Sequence, residues 1–196
     1  MKVFYTASYR GKKKHQVSYD LVRTSIKRFK VELVSPEEKN YHLVLTKQVQ
    51  KKFPDYESLH KDPFWHYEAI RQGIHWADAV IIEVSEEGFQ LGHEATLAIT
   101  EKKPVLCLSL HEDFSQKIHH DYFFGAKYTE RSIEGVIQDF FVRVRELSHS
   151  RRFNMFLYPS QVDHLESMSK EYGMNMSEYV RRLINLDRRI AHTSAL

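Results

Sequence analysis

The stretch ADAVIIEVSEEGFQLGHEATLAITEKKPVLCLSL, residues 77–110, decides the fold of this chain. Its first apolar run, Asp78 to Val84, is typical of a buried strand. Leu91 to Glu101 has the spacing of a helix, and Val105 to Leu110 forms a second apolar run after Pro104. A strand, a helix and a strand in this order predict two parallel strands joined by a crossover helix.

The same alternation extends toward the N-terminus. Val3 to Thr6 is rich in β-forming residues, the apolar residues from Tyr19 to Phe29 have helical spacing, and strand character returns from Val31 to Val34. Residues 35–61 then mix charged and aromatic side chains without a sustained period. This segment is predicted to be a long loop or a partly helical insertion, of the kind that often covers a site.

Two further helical patterns complete the first unit. They run from Pro63 to Trp76 and from Ile133 to Leu147, and the second carries its large apolar residues on one face. Alternating strands and helices predict an α/β fold, a Rossmann-like parallel sheet flanked by helices on both sides. We expect this domain to span residues 1–148.

A second unit, residues 149–196, begins in a short polar linker. Phe153, Met155 and Leu157 alternate as in one strand, and two helices follow. One strand and two helices cannot bury a core alone, so two copies are expected to pair their strands into a ribbon with four helices around it. This strand-helix-helix segment therefore predicts a homo-oligomer.

Composition excludes several classes of protein. Cys107 is the only cysteine and lies in an apolar run, so neither a disulfide nor a cysteine metal site can form within one chain. No apolar run reaches the roughly 18 to 20 residues that span a bilayer, and the N-terminus has no signal-peptide pattern. We expect a cytoplasmic protein without a membrane partner, and its net charge of +3 neither demands nor excludes nucleic acid.

Ligands of open parallel sheets collect at the carboxyl ends of the strands. After the first strand, Ser8 and Arg10 offer a hydroxyl and a guanidinium for a phosphate or ribose, Gly11 offers a flexible backbone, and Tyr9 can stack on a base or sugar. An ordinary polar turn is the alternative interpretation. Asp78, at the opposite end of its strand, is interpreted as a structural turn residue.

The second strand end leads through Gly88, Gly92 and His93 to Glu94. We expect Glu94 in the first turn of the following helix, where the helix dipole would keep its carboxylate ionised. An ionised carboxylate in a pocket can attack an anomeric carbon, so Glu94 is the candidate nucleophile. The alternative is that Glu94 only stabilises the start of the helix.

These motifs carry a resemblance. Residues 77–84, Gly92-His93-Glu94-Ala95 and residues 103–108 resemble the central signature of the nucleoside 2-deoxyribosyltransferase family. Residues 7–11 and the helix after them are similar to the phosphate-side loop and first helix of its 2'-deoxynucleoside 5'-monophosphate N-glycosidase branch. The similarity covers residues 1–148, with residues 35–61 unmatched.

The resemblance implies a Rossmann-like, usually oligomeric protein that needs no metal or redox cofactor. Glu94 would attack the anomeric carbon of a 2-deoxyribosyl group and release the base, and water or a second base would then take the sugar. It further implies that a nucleoside or nucleotide is held by a set of residues around the two strand ends: Ser8, Tyr9, Arg10, Gly11, Gly88, Gly92 and His93.

The chain departs from the family at three site positions. Ile70 stands where the family has a supporting aspartate, Phe4 where it has a tyrosine, and Gly88 where it has a phosphate-contacting serine. Tyr5 is adjacent to Phe4 but is expected on the opposite face of the sheet. The departures imply either a shifted substrate or lost catalysis.

Three nearby side chains are weighed as replacements for the missing aspartate. A shift of two residues turns about 200° around a helix, so Glu68 does not replace it simply. His66 and His75 lie nearby in the sequence and are the alternative replacements.

Residues 152–159, the following helix and the segment Ser177-Glu178-Tyr179-Val180-Arg181 resemble a ribbon-helix-helix domain. The resemblance implies paired strands in the DNA major groove, with Arg152 and Asn154 as candidate base readers. Residues 149–196 hold seven Lys and Arg against five acidic residues, a weak excess for a DNA clamp. Dimerisation alone and dimerisation with DNA binding both remain open.

Two classes of function follow besides the N-glycosidic reaction. In one, the α/β domain senses a nucleotide without turnover and the C-terminal ribbon contacts DNA. In the other, the protein is a catalytically silent assembly module. Salt-dependent binding to duplex DNA distinguishes these two.

Overall fold

A computed structural model describes the backbone of residues 1–148 and 154–193, and the side chains of these residues up to 187. The chain divides into two compact units, Met1–Ser150 and Arg151–Leu196. None of the described helices is long and apolar enough to cross a membrane.

The first unit is the α/β domain that the sequence predicts. Its five strands are β1 (Lys2–Ala7), β2 (Glu32–Val34), β3 (Ala79–Glu83), β4 (Val105–Ser109) and β5 (Phe123–Lys127). Their spatial order is β2-β1-β3-β4-β5, and every neighbouring pair is parallel. The helices are α1 (Lys12–Lys27), α2 (Lys47–Lys52), α3 (Tyr56–His60), α4 (Pro63–Trp76), α5 (Phe89–Thr100) and α6 (Ile133–Ser148).

Two hydrophobic cores form because successive strand residues point to opposite faces of the sheet. Phe4 packs in the core beneath α4 and α5, whereas Tyr5 packs in the core beneath α1 and α6. The predicted opposition of these two neighbours is therefore confirmed. Cys107 is buried in the first core, and burial raises the pKa of its thiol to about 12, so it is protonated at neutral pH.

Residues 35–61 fold into α2, α3 and two 3-10 turns, Pro36–Glu38 and Tyr41–Val44. Tyr41, Phe53 and Leu59 from this insertion are buried in the same core as Phe4. The partly helical alternative is confirmed, and the insertion is part of the packed layer because its large apolar residues face the sheet.

The edge strand β5 is absent from the sequence prediction. It contains Gly125 and Lys127, which are poor strand formers, and only Phe123 on it is buried. It pairs on one side only, with β4. A Cβ on Gly125 would lie 2.3 Å from the backbone nitrogen of Ser115, so this glycine lets the preceding turn cross the strand.

Asp78 is structural, as interpreted from the sequence. Its Oδ2 accepts a hydrogen bond of 2.8 Å from the backbone nitrogen of Lys2. This bond ties the amino-terminal ends of β1 and β3 together, at the edge of the sheet opposite to the carboxyl ends.

The described part of the second unit consists of α7 (Pro159–Glu171) and α8 (Met176–Thr193). Gly173 has φ +65°, a left-handed conformation that favours glycine, and it follows the end of α7. Residues 154–158 form no strand in the single chain. Since a ribbon strand needs a partner strand from a second copy, the intermolecular ribbon stays a prediction.

Candidate active site

The strand order reverses between β1 and β3, and ligands of doubly wound sheets bind outside the carboxyl ends of the strands at such a point. A cavity of about 360 Å³ lies there. Its floor is the end of β1 and the loop after it, one wall is the start of α5, and the other wall comes from the insertion and α4. The fold alone therefore places a pocket beside both predicted strand ends.

Four of the predicted binding residues line this cavity: Ser8, Tyr9, Arg10 and Gly88. Gly88 is the residue that precedes the first turn of α5. In the part of the chain with described side chains, Arg10 forms no ion pair, so its guanidinium contributes an unpaired positive charge to the cavity. Lys12 also lines the cavity, but its Nζ lies 2.8 Å from Glu37.

Three of the predicted binding residues do not line the cavity. Gly92 and His93 lie on the exposed side of α5, where the His93 ring stacks beside Phe89 and its Nε2 lies 3.0 Å from the Tyr67 hydroxyl. Gly11 precedes α1 with an ordinary helical backbone, φ −76°.

Gly11 is required for space rather than for flexibility. A Cβ on it would lie 2.1 Å from the Tyr19 hydroxyl oxygen and 2.7 Å from Cβ of Glu86. A conformation with negative φ is open to any residue, so the backbone at Gly11 does not itself require glycine, and the flexible backbone expected there stays a prediction.

Glu94 lies directly behind the cavity surface. Its side chain is buried, with 2% of the residue exposed. Thr6 donates a hydrogen bond of 2.7 Å from its hydroxyl to Oε2, and Gln90 donates one of 2.9 Å from its amide to Oε1. Both donors line the cavity, so one layer of side chains separates the carboxyl group from a bound ligand.

The expected ionisation of Glu94 by the helix dipole is wrong. The helix begins at Phe89, two residues earlier than predicted, which places Glu94 in the second turn. The dipole effect falls off within the first turn. Burial dominates instead and raises the pKa of Glu94 to about 7, even though the two hydrogen bonds lower it. Both protonation states are therefore populated near neutral pH.

Ile70, on α4, is buried and lines the cavity. An aliphatic side chain therefore stands in the cavity wall where the resemblance implies an aspartate. Glu68 does not replace the missing aspartate, because it accepts hydrogen bonds of 2.9 and 2.6 Å from Arg71. His75 Nδ1 pairs with Glu101 at 3.0 Å. Neither Glu68 nor His75 lines the cavity.

His66 does line the cavity. Its Nδ1 lies 2.7 Å from the Tyr41 hydroxyl. Burial, with a smaller contribution from His60, lowers the pKa of His66 to about 4. The ring is therefore neutral at pH 7, with one donor and one acceptor nitrogen.

A second polar cluster lies on the other face of the sheet. Glu83, at the end of β3, is buried and accepts hydrogen bonds from the Ser85 hydroxyl and, at 3.0 Å, from the Tyr128 hydroxyl. Burial raises the pKa of Glu83, while these bonds lower it. No residue of this cluster lines the cavity. The carboxyl groups at the cavity are those of Glu37 and Glu87, which line it, and that of Glu94, which lies behind Thr6 and Gln90.

Sequence reasoning missed several residues of the cavity. Thr6 ends a predicted strand and Gln90 precedes Glu94 by four residues, the spacing of neighbours on one helix face, so both carried a usable signal. Tyr56 and His60 carried no such signal, because they lie in the insertion, whose sequence has no sustained helical or strand periodicity. Among the residues with described side chains, no group of three His, Cys, Asp or Glu could hold a metal ion.

Comparison with known proteins adds no relative, since no family model and no curated protein matches the chain.

Proposed function

We propose that the α/β domain binds a nucleoside or nucleotide in this cavity and cleaves or transfers its N-glycosidic bond through Glu94. The observation that carries the proposal is the position of the Glu94 carboxyl group. It lies at the switch point of the sheet, held by two residues that line the cavity, Thr6 and Gln90. In this proposal the protein acts in the cytoplasm, and its free, buried cysteine, Cys107, is consistent with that compartment.

The chemistry needs one carboxylate and a path to the sugar. An oxygen of Glu94 forms a bond to the anomeric carbon, the bond from that carbon to the base nitrogen breaks, and the base leaves with the electron pair and takes up a proton from solvent water. Water or a second base then attacks the same carbon and releases the carboxylate. Oε1 becomes accessible when the exposed Gln90 side chain turns away, while Thr6 keeps Oε2 in place.

Nucleotide sensing without turnover is the second candidate. It is favoured by Ile70, which stands where the resemblance implies a supporting aspartate, and by the Gln90 side chain, which covers Glu94. In this candidate the C-terminal unit contacts DNA. Asn154 is exposed, as a base reader must be, and Arg152 lies outside the described residues.

The deciding experiment measures release of free base by chromatography from a panel of nucleosides and their 5'-monophosphates. We expect release by the native protein and a loss of at least about 1000-fold for Glu94→Gln, which cannot form the glycosyl intermediate. Glu101→Gln is the matched control, because this carboxylate at the C-cap of the same helix pairs with His75 outside the cavity. Absence of release and of base exchange by a folded native protein would favour sensing.

The rate of base release should rise with pH. Nucleophilic attack needs the ionised form of Glu94, whose pKa is raised to about 7. We therefore expect kcat/KM to increase about tenfold per pH unit below pH 6 and to level off above pH 8. A profile that is flat between pH 5 and 8 would contradict a nucleophilic role for this carboxyl group.

We also propose that the C-terminal unit joins two copies of the chain. Its described residues leave several large apolar side chains exposed: Met155, Phe156, Tyr158, Tyr172, Leu183, Ile184 and Leu186. Two helices cannot bury these side chains among themselves, and a second copy offers the same apolar surface.

Replacing Ile184 should weaken this dimer. We expect Ile184→Glu to shift the mass measured by light scattering from dimer to monomer at micromolar concentration, because a carboxylate would have to be buried without a partner. Ser167→Glu adds the same charge at an exposed position of α7 and should leave the dimer intact. Equal masses for native protein and Ile184→Glu would contradict this interface.

A further inference from the structure

One wall of the cavity consists of four aromatic rings, and two of them belong to the insertion. Tyr56 and His60 lie on α3, His66 lies on α4, and Tyr9 reaches the same cluster from the loop after β1. All four side chains line the cavity.

The rings are already arranged against one another. Tyr56 and His60 are stacked, with ring centroids 5.2 Å apart and planes 10° apart. Tyr9 lies 5.0 Å from His60 at a tilt of 43°, and His66 meets His60 edge to face at 4.9 Å. Because the rings hold one another in place, little side-chain entropy remains to be lost when a further flat ring joins them.

This wall has unused hydrogen-bonding capacity. Nδ1 of His60 is buried and has no hydrogen-bond partner among the described residues. Buried polar atoms without a partner are uncommon in proteins and call for an explanation, and a polar ligand is one. Glu37 and Glu87 also line the cavity but are not among these four rings, and Glu37 is paired with Lys12. A histidine nitrogen donates or accepts a hydrogen bond according to its tautomer, so an uncharged ligand group with donors and acceptors suits this wall.

Basic side chains border the wall. Nζ of Lys12, which is paired with Glu37, lies 5.4 Å from the centroid of the Tyr9 ring, and Nζ of Lys39 lies 5.6 Å from that of Tyr56. Arg10 contributes to the cavity a guanidinium that has no ion pair among the described side chains. A ligand that pairs a flat heteroaromatic ring with an anionic group matches this distribution of aromatic and basic side chains. The volume of about 360 Å³ is at the lower end for ligand pockets, which suits a mononucleotide.

We propose that the insertion of residues 35–61 builds a nucleobase subsite, in which the base stacks on Tyr9, Tyr56 and His60 and hydrogen-bonds to Nδ1 of His60. This inference rests on the proposed nucleotide ligand but not on turnover. It assigns recognition of the base to the segment that has no counterpart in the related family, and recognition of the anionic group to the loop after β1.

Binding is measured by calorimetry on the full chain carrying Glu94→Gln, so that turnover does not interfere. The ligands are the nucleoside 5'-monophosphates and, as a probe without a base, ribose 5-phosphate. At least one nucleotide should bind about tenfold or more tightly than ribose 5-phosphate, because base stacking contributes about 1–3 kcal/mol.

Ring-removing substitutions locate the base. Tyr9→Leu and His60→Leu should each weaken nucleotide binding about 5-fold or more while leaving the affinity for ribose 5-phosphate unchanged. Tyr67→Leu, which removes an exposed ring outside the cavity, should change neither. Tyr9 is 63% exposed, so its replacement does not threaten the fold. His60→Phe keeps the ring and should retain most of the stacking contribution.

Equal affinity for nucleotides and ribose 5-phosphate would overturn the subsite, as would a loss of both ligands in Tyr9→Leu. Failure of the N-glycosidic proposal gives a different set of results from failure of the base subsite. In that case the native protein releases no base, yet the ring substitutions still weaken nucleotide binding selectively.

Discussion

Replacing Glu94 by glutamine should stabilise the folded protein by about 3 kcal/mol at pH 9 and should change its stability little at pH 4. Burial raises the pKa of this carboxyl group from 4.5 to about 7 in the folded chain. Below pH 4.5 both the folded and the unfolded chain carry the proton, so the carboxyl group and its amide isostere behave alike.

Between pH 4.5 and 7 the unfolded chain loses this proton while the folded chain keeps it, so the stability of the native protein falls as pH rises. Above pH 7 the full cost of a buried carboxylate is present. Glutamine does not titrate and avoids this cost. Its amide can accept the hydrogen bond from Gln90, and the Thr6 hydroxyl can accept the amide N–H in turn.

The measurement is urea unfolding of native protein and Glu94→Gln at pH 4, 7 and 9. Glu101→Gln serves as the control, because that carboxyl group is less buried and pairs with His75 at the surface. A stability difference that does not grow between pH 4 and 9 would show that the folded protein tolerates the carboxylate of Glu94 as well as water does.

Gly73→Ala should destabilise the domain by about 2 kcal/mol, whereas Gly135→Ala should stabilise it by about 0.5–1 kcal/mol. Both glycines lie within helices, Gly73 in α4 and Gly135 in α6. A Cβ on Gly73 would lie 2.2 Å from Cε2 of Phe4, a fully buried ring on the central strand β1. A Cβ on Gly135 would meet no atom within 4 Å.

The same substitution, glycine to alanine, is therefore expected to lower the folding stability at one helical position and to raise it at the other. Alanine improves helix propensity at both, but at Gly73 it must displace a ring that is enclosed by the core. Urea unfolding of both variants tests this, and Phe4→Leu combined with Gly73→Ala should recover part of the loss by making room. If Gly73→Ala is as stable as Gly135→Ala, helix α4 does not lie as close to the sheet as the structure has it.

The two variants bear on the site as well as on the fold. Close packing of α4 on β1 brings Ile70 to the cavity that begins at Thr6 on the same strand. Glu94, behind the same cavity, is buried, and at neutral pH its burial lowers the stability of the folded protein. Groups that are retained at such a cost cluster at functional sites, which is the physical reason to test this carboxyl group first.

Local patterns were sufficient for much of the fold. The apolar runs at β1, β3 and β4 and the helical period of α4 are properties of neighbouring residues, so they could be read without knowledge of the contacts. The placement of Glu94 on the helix that follows β3 was equally local. Strand β5 was not predicted, because it is a strand through its pairing with β4 and not through its own composition.

The sequence by itself determined that strands and helices alternate, that a parallel sheet results, and that Ser8, Arg10 and Glu94 lie near its carboxyl edge. Only the tertiary structure decided the protonation state of Glu94. Its hydrogen-bond donor Thr6 lies 88 residues away in the sequence, and burial by distant segments sets its pKa. The tertiary structure also decided that the insertion supplies two rings, Tyr56 and His60, to an aromatic wall of the cavity. Burial, proximity and pKa depend on contacts between distant parts of the chain, whereas periodicity depends only on neighbours.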